Sequence, residues 1–192
     1  MGTILDDIYD VIFSPRTALR EIAARRELLS ACIVFLLSVF IPMWAVFLGL
    51  QMGEKSNSLG FIMVFQVIGS IAVWVVGTAI WHLCAELLGG RGSAVGLMTA
   101  LGFSHFPRIF IVPLWVLATL MPAGISPFFI GISGFIILVW TLSLEVLAIS
   151  GAYDISRTKA VIVFLAPVLL VIAAVVGLIF MAGSALIQLP LG

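Results

Sequence analysis

Apolar residues fill five long, nearly unbroken blocks of this chain, at 28–50, 61–85, 94–121, 127–149 and 158–182. A helix needs about 20 apolar residues to cross a bilayer, so each block predicts one membrane-spanning helix. The punctuation between the blocks agrees with this. Gly89 and Gly90 stop the second span, Ser93 caps the third and Ser156 caps the fifth. Short connections predict antiparallel neighbours packed in one bundle. The expected fold class is an all-α integral membrane protein, a five-transmembrane-helix bundle with N-terminal amphipathic interfacial helices. No internal repeat is visible, and five spans do not divide into two equal inverted halves.

The polar pattern changes at residue 28, dividing the chain into a cytoplasmic interfacial segment, 1–27, and a membrane domain, 28–192. In the first part Ile4, Leu5, Ile8 and Ile12 form one apolar stripe. Ser14-Pro15 then ends that helix and starts another, with Ser as N-cap and Pro at the first helical position. Leu19, Ile22, Ala23 and Leu29 face one way; Arg16, Arg20, Glu21, Arg25 and Glu27 face another, with Glu21 and Arg25 at a favourable i,i+4 spacing. Such a helix suits an anionic inner-leaflet surface, so Arg16, Arg20, Arg25 and Arg26 are expected to contact anionic lipid. Control of topology by positive charge is the simpler role for them. The acidic start MGTILDDIYDVIF has neither the basic flank nor the cleavage site of a signal peptide.

Composition narrows the partners. The 192 residues are 63% hydrophobic and 9% charged, far from the quarter charged expected of a soluble domain. Nine Lys and Arg offset nine Asp and Glu, which leaves no excess positive charge for a nucleic-acid partner. Their placement is lopsided. Arg16, Arg20, Arg25, Arg26, Arg91, Arg157 and Lys159 fall on one side of the predicted spans, and Lys55 alone falls on the other. The positive-inside rule then predicts a cytoplasmic N-terminus and an outside C-terminus. Cys32 and Cys84 both lie in apolar runs and give no disulfide framework.

Candidate chemistry rests on five ionisable groups within or beside the spans: His82, Glu86, His105, Arg108 and Glu145. Each costs a few kcal/mol in hydrocarbon unless paired or hydrated. Counted from the nearest basic-side helix ends at about 1.5 Å per residue, Glu86 lies roughly 5 Å deep, Glu145 roughly 9 Å, His82 roughly 10 Å and His105 roughly 18 Å. Pro107 predicts a break in the third span, because it lacks an amide and clashes with the carbonyl of Phe103; Gly102 eases that bend. His82, Glu86, His105 and Glu145 are the ligand types and number of a zinc or other divalent centre. A proton relay uses the same inventory. The simplest reading is a hydrogen-bonded cluster joining helices, with Arg108 paired to Glu145 or to carbonyls freed by Pro107.

Catalysis ranks last among these expectations. Neither H-E-x-x-H nor G-x-S-x-G occurs, and Asp6, Asp7, Asp10 and Asp154 all lie outside the spans. The run LLGGRGS reads as a tight turn between spans more simply than as an anion-binding nest. Gly49-x-x-x-Gly53 and Ala173-x-x-x-Gly177 allow close helix contact, within the chain or in a homo-oligomer.

Several stretches in order carry a family resemblance: FSPRTALREI before the first span, LLGGRGS before the third, GFSHFP within it and SRTKAVIVFLAPVLL opening the fifth. Together they resemble the Yip family of Ypt/Rab-interacting membrane proteins, in its bacterial branch, over nearly the whole chain. Gly102, Phe103 and Pro107 occupy the places of that family's Gly-Tyr-x-x-x-Pro motif, with Phe for Tyr. The resemblance implies a five-span, non-enzymatic protein of the bacterial inner membrane, acting as a membrane-organising or scaffold/trafficking-type factor. The Asp-Leu-Tyr-Gly-Pro motif of eukaryotic relatives is replaced by Asp7-Ile8-Tyr9-Asp10-Val11, so their GTPase binding is not carried over. The competing expectation is a small transporter or ion- or metal-binding channel built on the five polar residues.

Overall fold

A computed structural model describes residues 3–51 and 59–187. Eight α-helices follow one another, with no strand among the described residues: α1 (Ile4–Phe13), α2 (Pro15–Arg25), α3 (Leu28–Gln51), α4 (Leu59–Leu87), α5 (Ala94–Ser104), α6 (Ile111–Thr119), α7 (Ser126–Tyr153) and α8 (Arg157–Ile187). A 3-10 turn, Phe106–Phe110, joins α5 to α6. The five expected spans are present as α3, α4, the α5–α6 unit, α7 and α8, each long and apolar enough to cross a membrane. Lys55, Gly53 and the tail from Gln188 onward, used above for orientation and helix contact, lie outside the described residues.

The punctuation is read correctly in most places. Gly89 ends α4 at φ 82°, a left-handed conformation that glycine adopts without strain. Ser93 Oγ accepts from the Gly96 amide at 3.1 Å, and Ser156 Oγ from the Lys159 amide at 3.4 Å. Ser14 stands at the predicted cap of α2 but makes no side-chain cap bond; its carbonyl instead accepts from the Thr17 hydroxyl at 2.9 Å. LLGGRGS forms the expected tight turn, and its amides are used internally: Gly90 N–H donates to the Ala85 carbonyl and Arg91 N–H to that of Tyr153.

The largest departure concerns α2. Its apolar side was expected to lie on the bilayer, yet Ala18, Leu19, Ile22 and Ala23 are buried, with Val11 of α1, in the same core as residues of α3, α5 and α7. Helix α2 packs on α5 and α7. The approach is close: a Cβ on Gly96 would come within 2.6 Å of the Ala23 carbonyl oxygen, and one on Gly151 within 3.1 Å of the Arg20 amide. Small residues on the spans thus make a seat for α2. Leu29, grouped with this stripe from its spacing, belongs to α3 and is exposed. Arg25 pairs with Asp7 rather than with Glu21, and Arg20 with Asp154 at 3.2 Å, so two of the four arginines assigned to lipid already have protein partners.

Helix α5 is the hub. It is buried almost throughout and touches α2, α3, α4 and α7. Gly102 lies within this helix, and a Cβ there would meet the Ala31 carbonyl oxygen of α3 at 2.8 Å. Its role is therefore close approach between helices, a correction to the hinge inferred from sequence.

Candidate functional site

The break predicted at Pro107 builds the polar centre. Helix α5 stops at Ser104 because Pro107 supplies no amide to the preceding turn. The Leu101 carbonyl takes side-chain donors, Ser104 Oγ at 2.8 Å and His105 Nδ1 at 2.7 Å. A carbonyl only accepts, so Nδ1 of His105 carries the hydrogen. The other ring nitrogen, Nε2, faces Glu145 Oε1 of α7 at 3.5 Å, with both side chains buried. An unprotonated Nε2 and a carboxylate are both acceptors, so the contact is attractive only with a proton on one of them. A proton on either group leaves the pair with a net charge of zero.

Glu145 therefore has His105 as partner, where the sequence suggested Arg108. Among the described residues no carboxylate lies within 4.0 Å of the Arg108 guanidinium. Arg108 instead lines two adjoining cavities between α3 and α4, of about 360 and about 560 Å³. Sequence reasoning missed several residues that share them: Ser38 of α3, Gln66, Ser70 and Trp74 of α4, and Phe35. The signal was present. Gln66, Ser70 and Trp74 recur every four residues in the otherwise apolar first two thirds of α4, which places them on one face. Trp74 stacks on Phe35 with ring centroids 4.5 Å apart, and Phe35 meets His105 edge-on at 5.2 Å.

His82 and Glu86 form a second, separate pair nearer the basic end, with His82 Nε2 3.6 Å from Glu86 Oε1. His82 Nδ1 is hydrogen-bonded to the hydroxyl of Tyr153, a buried residue at the end of α7 that the sequence did not single out. Tyr153 fills the space left by two glycines: a Cβ on Gly92 would come within 2.6 Å of its ring and 2.4 Å of the Ala152 oxygen. Lys159 Nζ closes the same end by donating to the Leu88 carbonyl at 3.2 Å.

The four candidate ligands do not fit a divalent ion. His82 and Glu86 form one couple within α4, and His105 with Glu145 forms another between the end of α5 and α7. No group of three or more His, Cys, Asp or Glu residues converges among the described residues. A closed zinc site needs four donors around one point and an open one needs three, so this arrangement supplies a hydrogen-bonded pair at each place instead.

Neither a curated protein nor a solved structure matches this chain. A family model does: that of the Yip1 domain matches residues 9–179, from the middle of α1 to the outer part of α8. The match takes in the broken third span, both polar pairs and the cavity residues. With its five apolar helices, the chain is a multi-pass membrane protein and belongs to the Yip1 domain family.

Proposed function

We propose that this protein is a non-catalytic scaffold of the bacterial cytoplasmic membrane, N-terminus inside and C-terminus outside, that organises the bilayer around it. The carrying observation is the outer face of α1. Leu5, Tyr9, Ile12 and Phe13 lie at i, i+4, i+7 and i+8, on one side of the helix, and all are exposed, Leu5 by 76% and Phe13 by 68%. Tyr9 and Phe13 touch, with centroids 4.5 Å apart. The opposite side is held to the bundle through Val11 and the Asp7–Arg25 ion pair. An amphipathic helix inserts such a face into the headgroup boundary. Here the helix is held to the bundle through α2 and α5, so it acts as a rigid wedge at the basic end, where the exposed Arg16 and Arg26 suit anionic headgroups.

The alternative, a small transporter or ion channel, draws on the same polar residues, but their division into two couples supports it less. Reconstitution into vesicles of mixed zwitterionic and anionic lipid tests the wedge. Electron microscopy is expected to show smaller or tubulated vesicles with the native protein and unaltered ones with Leu5→Ser/Tyr9→Ser/Phe13→Ser. Equal vesicle shapes for the two proteins would remove the wedge, and substrate turnover by the pure protein would remove the non-catalytic reading.

A further inference from the structure

Between α3 and α4 the packing opens into the two cavities, which share Gln66, Ser70 and Arg108. Their volumes fall within the range of about 300–1,000 Å³ typical of small-molecule sites. The inner wall offers a charged donor group that lacks a close acceptor. Among the described residues the Arg108 guanidinium has no carboxylate within 4.0 Å. The Trp74 ring borders the larger cavity and is 6% exposed. A guanidinium donates only, so it calls for an acceptor. The Glu145 carboxylate faces His105 Nε2 at 3.5 Å and makes no ion-pair contact with Arg108.

The outer rim has the opposite character. Phe61, Phe65 and Val73 are apolar and mostly exposed, as befits side chains turned toward lipid. An occupant that enters past such a rim comes from the hydrocarbon, and one that satisfies the inner wall carries an acceptor anion. A single guanidinium balances a single negative charge, whereas a phosphate monoester would leave uncompensated charge in a low-dielectric site. The planar fork of arginine also matches the two oxygens of a carboxylate.

We propose that the cavity between α3 and α4 binds a long-chain fatty acid taken up sideways from the bilayer, its carboxylate held by Arg108 beside the Trp74 ring and its chain lying along Phe61 and Phe65. The site is independent of the wedge formed by α1.

Spin-labelled stearate added to the full-length protein in discs of zwitterionic lipid tests this through quenching of tryptophan fluorescence. Saturable quenching is expected in the native protein, with smaller amplitude in Trp74→Phe and affinity about tenfold or more weaker in Arg108→Gln. A second variant guards against misfolding of the first. Gly69 borders the larger cavity, and a Cβ there meets nothing within 4 Å, so Gly69→Leu fills the site without a backbone clash and is expected to abolish saturable quenching. Undiminished binding in Gly69→Leu overturns the proposal, as does equal competition by methyl stearate, which lacks the charge, or by butyrate, which lacks the chain. Tighter competition by a monoalkyl phosphate overturns the choice of carboxylate.

Discussion

Asp7 of α1 is buried and ion-paired with Arg25 of α2, eighteen residues away. Its side chain is 9% exposed, and the hydrogen bond to Asp7 holds the Arg25 guanidinium above its ordinary pKa. The bond closes the α1–α2 hairpin from the side that faces the bundle. Asp7→Asn keeps the shape and removes the charge, so it is expected to cost about 1.5–3 kcal/mol, read as a lower unfolding temperature in detergent. An unchanged unfolding temperature would show that apolar contacts alone hold α1 in place.

At the exposed start of α1 the cap is sensitive to acid. Thr3 N–H and Thr3 Oγ1–H each donate to Asp6 Oδ2 at 2.8 Å, and Asp6 N–H returns a bond to Thr3 Oγ1 at 3.3 Å, forming a capping box. The backbone bond first, and the hydroxyl bond second, hold the Asp6 carboxyl below its ordinary value of 3.8. A lowered value means that the ionised form stabilises the fold above pH 3.8 and that this support is lost as pH falls through the folded value. NMR shifts of residues 3–6 are expected to hold steady at neutral pH and move toward coil values only below pH 3.8. In Thr3→Ala the same residues should already be frayed at neutral pH.

Glycines fall into two classes that alanine substitution separates. A Cβ at Gly92 would lie 2.4 Å from the Ala152 oxygen and one at Gly102 2.8 Å from the Ala31 oxygen, both backbone atoms. Either change forces helices or turns apart and is expected to destabilise by about 1–3 kcal/mol. At Gly134 in α7 nothing lies within 4 Å, so alanine there should be neutral or stabilising by up to about 1 kcal/mol through helix propensity. Thermal unfolding of the three single variants checks the ranking.

The His105–Glu145 couple predicts an asymmetric mutant cycle. His105→Leu strands a buried carboxylate and removes a donor from the Leu101 carbonyl, so it should be costly, by about 3–5 kcal/mol. Glu145→Leu leaves a histidine whose Nδ1–H is still bonded and should cost less. The double variant is expected to be more stable than His105→Leu alone, since the carboxylate that His105→Leu strands is then gone. Simple additivity of the two single changes would show that the residues do not interact.

How far the chain could be read without its structure depends on the range of the forces involved. The number of spans, their approximate bounds and the break before Pro107 are local properties: apolar length, a missing amide, a capping serine. Gly89 at α4's end and Ser93 at α5's start belong to the same class. The site was half legible. His105, Arg108 and Glu145 stand out because charge in an apolar run is costly wherever it occurs. Gln66, Ser70 and Trp74 share one helical face, but their spacing does not say what that face meets, and the role of Tyr153 likewise follows from what packs opposite it.

Sequence alone thus determined that this is a five-span helical membrane protein with a broken third span and polar groups inside it. Only the tertiary structure decided that α2 sits on α5 and α7, that Glu145 faces His105 and that Arg108 faces a cavity. The physical reason is common to all three. Hydropathy and helix propensity are summed along the chain, whereas pairing depends on rotation and height of one helix against another, which are set by close contacts such as Gly96 with Ala23 and Gly102 with Ala31.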